Sequence, residues 1–219
     1  MTEVNIRNLL VIGIDVVSLA ASAKRAGYQV YAVDFFGDQD LKRVCQKSRS
    51  IVEQKTGKTC GRLTRDFNPG ALLRLTKGLV RKSKVDFVLP SSGLDDFPEV
   101  LFELNELVPI LGNSIDTIKS VRDKTKFFKE LKRLQIRHPE TAVAENFEEA
   151  RKKSKDIGYP VVVKPLATVG GASVKRVHDT QGLKRLSRRT YFFHGKVLIQ
   201  EHVYGRPASV SLISSRRGT

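Results

Sequence analysis

The chain has 219 residues, 39 Lys plus Arg against 23 Asp plus Glu, a net charge of +16, 40% hydrophobic residues and a mean hydropathy of −0.26. That is enough apolar material for one large domain or two smaller ones, and no apolar run approaches the roughly 20 residues that span a bilayer. Residues 1–10 carry Glu3 and Arg7 and lack a signal-peptide pattern, so the expected location is cytoplasmic and no membrane partner is expected.

In chain order, Asn8-Leu-Leu-Val-Ile-Gly13 is a short apolar run ending in Gly, the pattern of a buried strand. Val16, Leu19, Ala20 and Ala23 repeat at helical spacing, and Gly27 closes that helix. Tyr28–Val33 is a second strand, so the chain opens β-α-β and implies a parallel sheet with a right-handed crossover. Leu72, Leu75 and Leu79 mark another helix. Val85–Leu89 reads as a strand ending at Pro90, and Val108–Leu111 as a short one ending at Gly112. Residues 1–115 therefore read as a small doubly wound α/β domain.

The pattern changes after Asn113. Phe127, Leu131 and Leu134 form a helical stripe. Asn146 is positioned as an N-cap with Glu149 three residues on, and Phe147, Ala150 and Ile157 supply that helix with an apolar face. Val161–Pro165, Ser173–Val177 and Lys196–His202 read as strands, with Leu183 and Leu186 on a helix between the last two, and Ala208–Ile213 as the start of another. Strands and helices here do not alternate one for one. Residues 116–219 are accordingly expected to form an α+β domain around an antiparallel sheet.

Several familiar site patterns fail. The turn Gly13-Ile-Asp15 has one glycine where a dinucleotide fingerprint needs three, although Asp34 stands where a ribose ligand would. Thr56-Gly57-Lys58-Thr59 resembles the end of a P-loop, but Val52 occupies the place of the motif's first glycine. Cys45 and Cys60 have no partner at metal-ligand spacing and read as free thiols. His138, His178, His194 and His202 share no ligand spacing either. The basic residues are spread along the chain without interleaved stacking aromatics, so nucleic acid is not the expected partner. A phosphate-bearing ligand is the better account of the charge.

One constellation stands. Asp123-Lys124 opens a helix. Gly158-Tyr-Pro-Val-Val-Val-Lys164-Pro165 follows, with an ammonium closing an apolar strand, a costly placement unless an anion or acceptor meets it. Thr168-Val-Gly170-Gly171-Ala-Ser173 is a small-residue loop whose backbone N–H groups can approach phosphate oxygens. Val197-Leu-Ile-Gln200-Glu201-His202-Val203 is an apolar strand that turns polar at its end, where it can read an adenine edge. Lysines, a glycine loop and a polar strand end, in this order, describe a nucleotide pocket.

This order resembles the ATP-grasp superfamily over residues 115–213, with residues 1–115 similar to its pre-ATP-grasp domain. The first domain further resembles the predicted carboligases of archaea, a group similar to tyramine–glutamate ligases, through Ala23–Tyr28, Asp34–Gly37 and Leu111–Ser114. The resemblance implies an ATP-dependent carboxylate–amine ligase, acting through an acyl phosphate on a small-molecule carboxylate and amine, with Mg2+ as cofactor. It implies that Lys124 and Lys164 bind ATP phosphates, and that Gly170, Gly171 and Ser173 lie on the loop closing over them. Gln200 would accept from the adenine amino group, and Glu201 and Val203 would offer backbone groups to the base. Pro207 stands where many members carry a ribose-binding Glu. The family's metal carboxylates come from a C-terminal region, and beyond Val203 this sequence has no Asp or Glu. The expectation is a fragment that binds nucleotide but lacks the metal ligands, or else a non-catalytic nucleotide-binding module. Oligomerisation is open.

Overall fold

The computed structural model describes residues 7–52, 54, 57, 67–166, 173–188 and 195–214. The chain divides into two compact units, Met1–Phe127 and Phe128–Thr219.

The first unit begins with β1 (Asn8–Ile12), α1 (Val17–Arg25), β2 (Gln29–Asp34), α2 (Gln39–Val44) and β3 (Lys47–Ser50). It continues with α3 (Pro69–Val80), β4 (Phe87–Pro90), α4 (Pro98–Leu107) and α5 (Ile115–Arg122). The four strands form a parallel sheet in the order β3-β2-β1-β4. Because β1 is covered on both faces it reads as a continuous apolar run rather than an alternating one. Its odd and even positions serve different layers. Leu9 and Val11 join Val30, Ala32, Ala20, Ala23 and Leu41 on the α1–α2 side. Leu10 and Ile12 join Val33, Val88, Leu72, Leu79, Leu101 and Leu104 on the α3–α4 side. The expected doubly wound arrangement is thus present. Ile115 and Ile118 of α5 pack on the second of these cores.

Asp34, at the carboxyl end of β2, is fully buried. Its carboxylate accepts from the Gly37 N–H at 3.1 and 3.2 Å and from Ser50 Oγ at 2.6 Å. Burial pushes its pKa up, partly offset by these hydrogen bonds. Asp34 therefore ties the end of β2 to β3 and is no ribose ligand. Burial of Cys45 itself, with the nearby Asp34 charge, pushes its thiol up to about 11, which disfavours the thiolate.

The expected strand at Val108–Leu111 reduces to a single parallel bridge between Val88 and Ile110. Its one-strand reach is short because Pro109 offers only a carbonyl, which the Val88 N–H takes at 3.0 Å.

Helix α6 (Lys124–Arg133) follows. Its first turn is capped by Asp123, whose Oδ1 accepts from the Lys126 N–H at 3.1 Å. The second unit then runs β5 (Thr141–Ala144), α7 (Phe147–Ile157), β6 (Val161–Pro165), β7 (Lys175–Val177), α8 (Thr180–Ser187) and β8 (Val197–Glu201). Its strands form an antiparallel sheet in the order β5-β8-β6-β7. One face packs Ala144, Val161, Val163, Val177, Val197 and Ile199 against Ala150 of α7 and Leu183 and Leu186 of α8. Asn146 caps α7 as expected, its Oδ1 accepting from the Glu149 N–H at 2.9 Å. Residues 206–214 form no strand, and Val210, Leu212 and Ile213 are exposed. An alternating apolar pattern becomes a strand only where a neighbouring edge takes up its backbone groups. Among the described residues, no helix is long and apolar enough to cross a membrane.

Candidate functional site

The second face of the antiparallel sheet carries the polar residues. Side chains alternate along a strand and cross-strand partners share a face. Gln200 is opposite Thr141 on one side and Val162 on the other, and Val162 is opposite Arg176. The next row on this face is Val143, Leu198 and Lys164. Lys164 and Gln200 are therefore diagonal neighbours, within reach of a long side chain.

They meet. Lys164 Nζ donates to Gln200 Oε1 at 2.5 Å. Gln200 Nε2 donates to Thr141 Oγ1 at 2.8 Å, and Thr141 Oγ1 donates to the Pro139 carbonyl at 2.8 Å. The direction of the chain follows from chemistry. An ammonium can only donate, so the amide oxygen must face Lys164 and the amide nitrogen must face Thr141. Gln200 is 6% exposed, yet both ends of its amide are bonded, which is the condition for keeping a polar side chain at such depth. Lys164 is half-buried beside it. The ammonium that closes an apolar strand thus has an acceptor in place, and a charge-assisted bond of this kind contributes about 1.5–3 kcal/mol.

Beyond Gln200 the strand is held at its end. The Glu201 N–H donates to the Glu140 carbonyl at 2.8 Å, and Glu201 Oε2 accepts from the Glu140 N–H at 3.1 Å. With its N–H engaged, Glu201 has its carbonyl as the backbone group to offer a ligand. Val203 is 61% exposed. His202 packs edge-on against Tyr204, with ring centroids 4.5 Å apart, and its Nδ1 is buried with no hydrogen-bond partner among the described residues.

The other sequence-derived residues are placed as follows. Ser173 is half-buried in the turn before β7. Gly170 and Gly171 lie outside the described residues, as do Cys60, His194 and, except for Gly57, the Thr56–Thr59 run. Lys124 belongs to the first unit, on the first turn of α6, with Nζ 5.7 Å from the centroid of the Phe127 ring. Just before it, Arg122 Nε donates to Asp96 Oδ1 at 2.7 Å, and this pairing holds the guanidinium pKa above its ordinary value. Thr141 is the site residue that sequence reading missed. Its only signal is register, since nothing local to Thr141-Ala-Val-Ala144 marks it. Among the described residues, no three His, Cys, Asp or Glu side chains group in a way that could hold a metal ion.

The antiparallel sheet, with one helix-covered face and one polar face, is matched by known proteins. Residues 121–219 match the family model of the ATP-grasp domain. In sequence this match follows the parallel-sheet α/β unit, and the α/β architecture expected from the sequence stands. Among curated proteins, it is 30% identical over 141 residues to the carbamoyl phosphate synthase large chain, N-terminal section, of Methanopyrus kandleri, covering 60% of this chain and 25% of that protein. It is 40% identical over 81 residues to the carbamoyl phosphate synthase large chain of Neisseria gonorrhoeae, covering 37% of this chain and 8% of that one. The chain thus spans a quarter or less of the length of these relatives. Among solved structures, biotin carboxylase from Campylobacter jejuni in complex with β,γ-ATP superposes with a TM-score of 0.68 at 18% identity, over 91% of this chain and 46% of that one. An ADP complex of N5-carboxyaminoimidazole ribonucleotide synthetase superposes at 0.66 with 12% identity, over 93% and 49%. At these identities the likeness is one of fold.

Proposed function

We propose that this chain is part of an ATP-dependent ligase that activates a carboxylate as an acyl phosphate and joins it to an amine. In functional terms, residues 1–115 would be the pre-ATP-grasp domain and residues 116–219 the ATP-grasp domain. The observation that carries the reading is the Lys164–Gln200–Thr141 chain on the polar face of the antiparallel sheet. It presents a cation and a fixed amide oxygen beside a strand end whose next carbonyl, Glu201, can take part in reading a base. These groups fit an adenine nucleotide. Gln200 Oε1 can accept a second bond from an exocyclic amine, Val203 can donate to a ring nitrogen, and Lys164 can neutralise a phosphate oxygen. Lys124, Gly170, Gly171 and Ser173 complete the proposed contacts to phosphate.

ATP supplies the phosphoryl group, and Mg2+ would neutralise its developing charge. The protein's share of such a reaction is positioning and charge compensation. A narrower reading makes the enzyme similar to tyramine–glutamate ligases, supported by Ala23–Tyr28, Asp34–Gly37 and Leu111–Ser114. The runner-up is a nucleotide-binding module without catalysis, favoured by the lack of an acidic cluster among the described residues. The discriminating experiment is nucleotide titration at high salt followed by phosphate release with a panel of carboxylates and amines. Saturable ATP binding supports the site, and amine-dependent phosphate release supports the enzyme over the module. Binding that falls steeply with salt and does not distinguish ATP from DNA would remove both, because such dependence marks contact with a phosphate backbone.

A further inference from the structure

Strand β7 is the last strand of the antiparallel sheet, and among the described residues no strand pairs with its outer side. A cavity of about 410 Å³ runs there, in the size range of ligand clefts. Consecutive residues of β7, Lys175 through Val177, line it, followed by His178 and Asp179. Consecutive side chains point to opposite faces. Residues of both faces line it, so it follows the strand's edge, where the register turns the Arg176 N–H and C=O outward and those of Lys175 and Val177 toward β6. The opposite wall is α8, through Gly182 and Arg185. Gly182 keeps that wall low. A Cβ there would already stand 3.3 Å from Val177 Cγ1 and from Asp179 Oδ1.

The charge on this groove is mainly positive. Lys175, Arg176 and Arg185 line it, with His178 beside them. The one acid, Asp179, is turned to its own helix, where its Oδ1 accepts from the Gly182 N–H at 2.6 Å. We propose that this groove docks an acidic, extended polypeptide segment, which adds to β7 as a further strand and sets its carboxylates against Lys175 and Arg185. Strand addition draws affinity from main-chain hydrogen bonds and specificity from alternate side chains. Lysines and arginines on an edge discourage pairing with neutral or basic strands, and the same charges select an acidic one. Arg176 also belongs to the row of the polar face that holds Gln200, so the test is run without nucleotide and reads Lys175 and Arg185, which lie outside that row.

The experiment uses the full chain and a fluorescein-labelled hexapeptide alternating valine and glutamate. A control peptide of equal charge carries proline in place of alternate valines, which removes the donors needed for pairing. The expected result is binding of the first peptide only, slowed amide exchange at Arg176, and about fivefold weaker binding in both Lys175→Glu and Arg185→Glu. Both substitutions sit on the rim, and the exchange pattern of α7 and α8 without peptide checks that each variant is folded. Equal binding of the proline peptide, displacement by a single-stranded oligonucleotide without slowed exchange in β7, or no binding at all would each overturn the proposal.

Discussion

Lys164 and Gln200 stand on adjacent antiparallel strands, two residues out of register, and close on one another at 2.5 Å. Each therefore sets the other's position. Gln200→Leu keeps the volume but leaves the ammonium without its amide acceptor, so nucleotide affinity should fall roughly tenfold, the scale of one charge-assisted bond. Gln200→Glu keeps an acceptor facing Lys164 and can accept from the Thr141 hydroxyl in place of the amide's donation. It should bind within about threefold of the parent protein. Calorimetric titration of both variants checks this, and equal loss in the two would mean that the amide itself, not its oxygen, is required.

Lys164→Met should weaken ATP binding by about 1.5–3 kcal/mol and weaken adenosine binding less, because a phosphate contact is absent in the nucleoside. Parallel titrations with ATP and adenosine give the comparison. An equal loss for both ligands would assign Lys164 to holding Gln200 rather than to phosphate.

Asp86 offers a test at the start of the parallel sheet. Its carboxylate accepts from the Asn8 N–H at 2.9 Å, the Arg7 N–H at 3.0 Å and Asn8 Nδ2 at 3.2 Å. The backbone N–H groups of Asn8 and Arg7 hold its pKa below the ordinary value. A depressed carboxyl pKa contributes stability that is present above the unfolded-state value and lost as pH falls through the folded-state value. Asp86→Ala should therefore lower the unfolding midpoint at pH 7, and the gap to the parent protein should narrow below about pH 4. Thermal unfolding across that range reads the difference directly.

Gly37 sits at φ +70°, and a Cβ there would meet the Val52 carbonyl oxygen at 2.5 Å and Ser50 Cβ at 2.9 Å. Gly37→Ala combines a left-handed backbone with a collision against main chain, and should cost at least about 2 kcal/mol. It should also disturb Asp34, whose carboxylate the Gly37 N–H engages. Chemical denaturation measures the loss, and a change under about 0.5 kcal/mol would show that the β2–β3 connection can rearrange freely.

Much of this architecture can be read in the residues. Leu9–Ile12 and Val30–Val33 declare buried parallel strands because both faces are apolar. Val161–Val163 and Val197–Ile199 declare themselves for a different reason, since each apolar run ends abruptly in a polar side chain, and these two side chains, Lys164 and Gln200, meet. β3, Lys47-Ser-Arg-Ser50, is invisible by pattern. It is an edge strand held to β2 by backbone pairing, and backbone pairing leaves no trace in side-chain type. Thr141 is hidden for a related reason. Its role depends on lying opposite Gln200, 59 residues away, and register between distant strands is a property of the folded sheet. Ala208–Ile213 shows the converse error, an alternating sequence read as a strand that pairs with no strand among the described residues.

The two faces of the antiparallel sheet bind the fate of the site to that of the core. Shifting β8 by a single residue would exchange its faces, sending Gln200 toward Leu183 and Ile199 onto the polar face. Such a slip would strip an amide of both partners and bring Val197 and Ile199 into water, at about 1.5–3 kcal/mol for each apolar side chain. The chemical groups thus need no dedicated scaffold to hold their place. A drift of the polar residues is penalised through the greasy ones that alternate with them, so selection for a well-packed interior is at the same time selection for a correctly aimed Gln200.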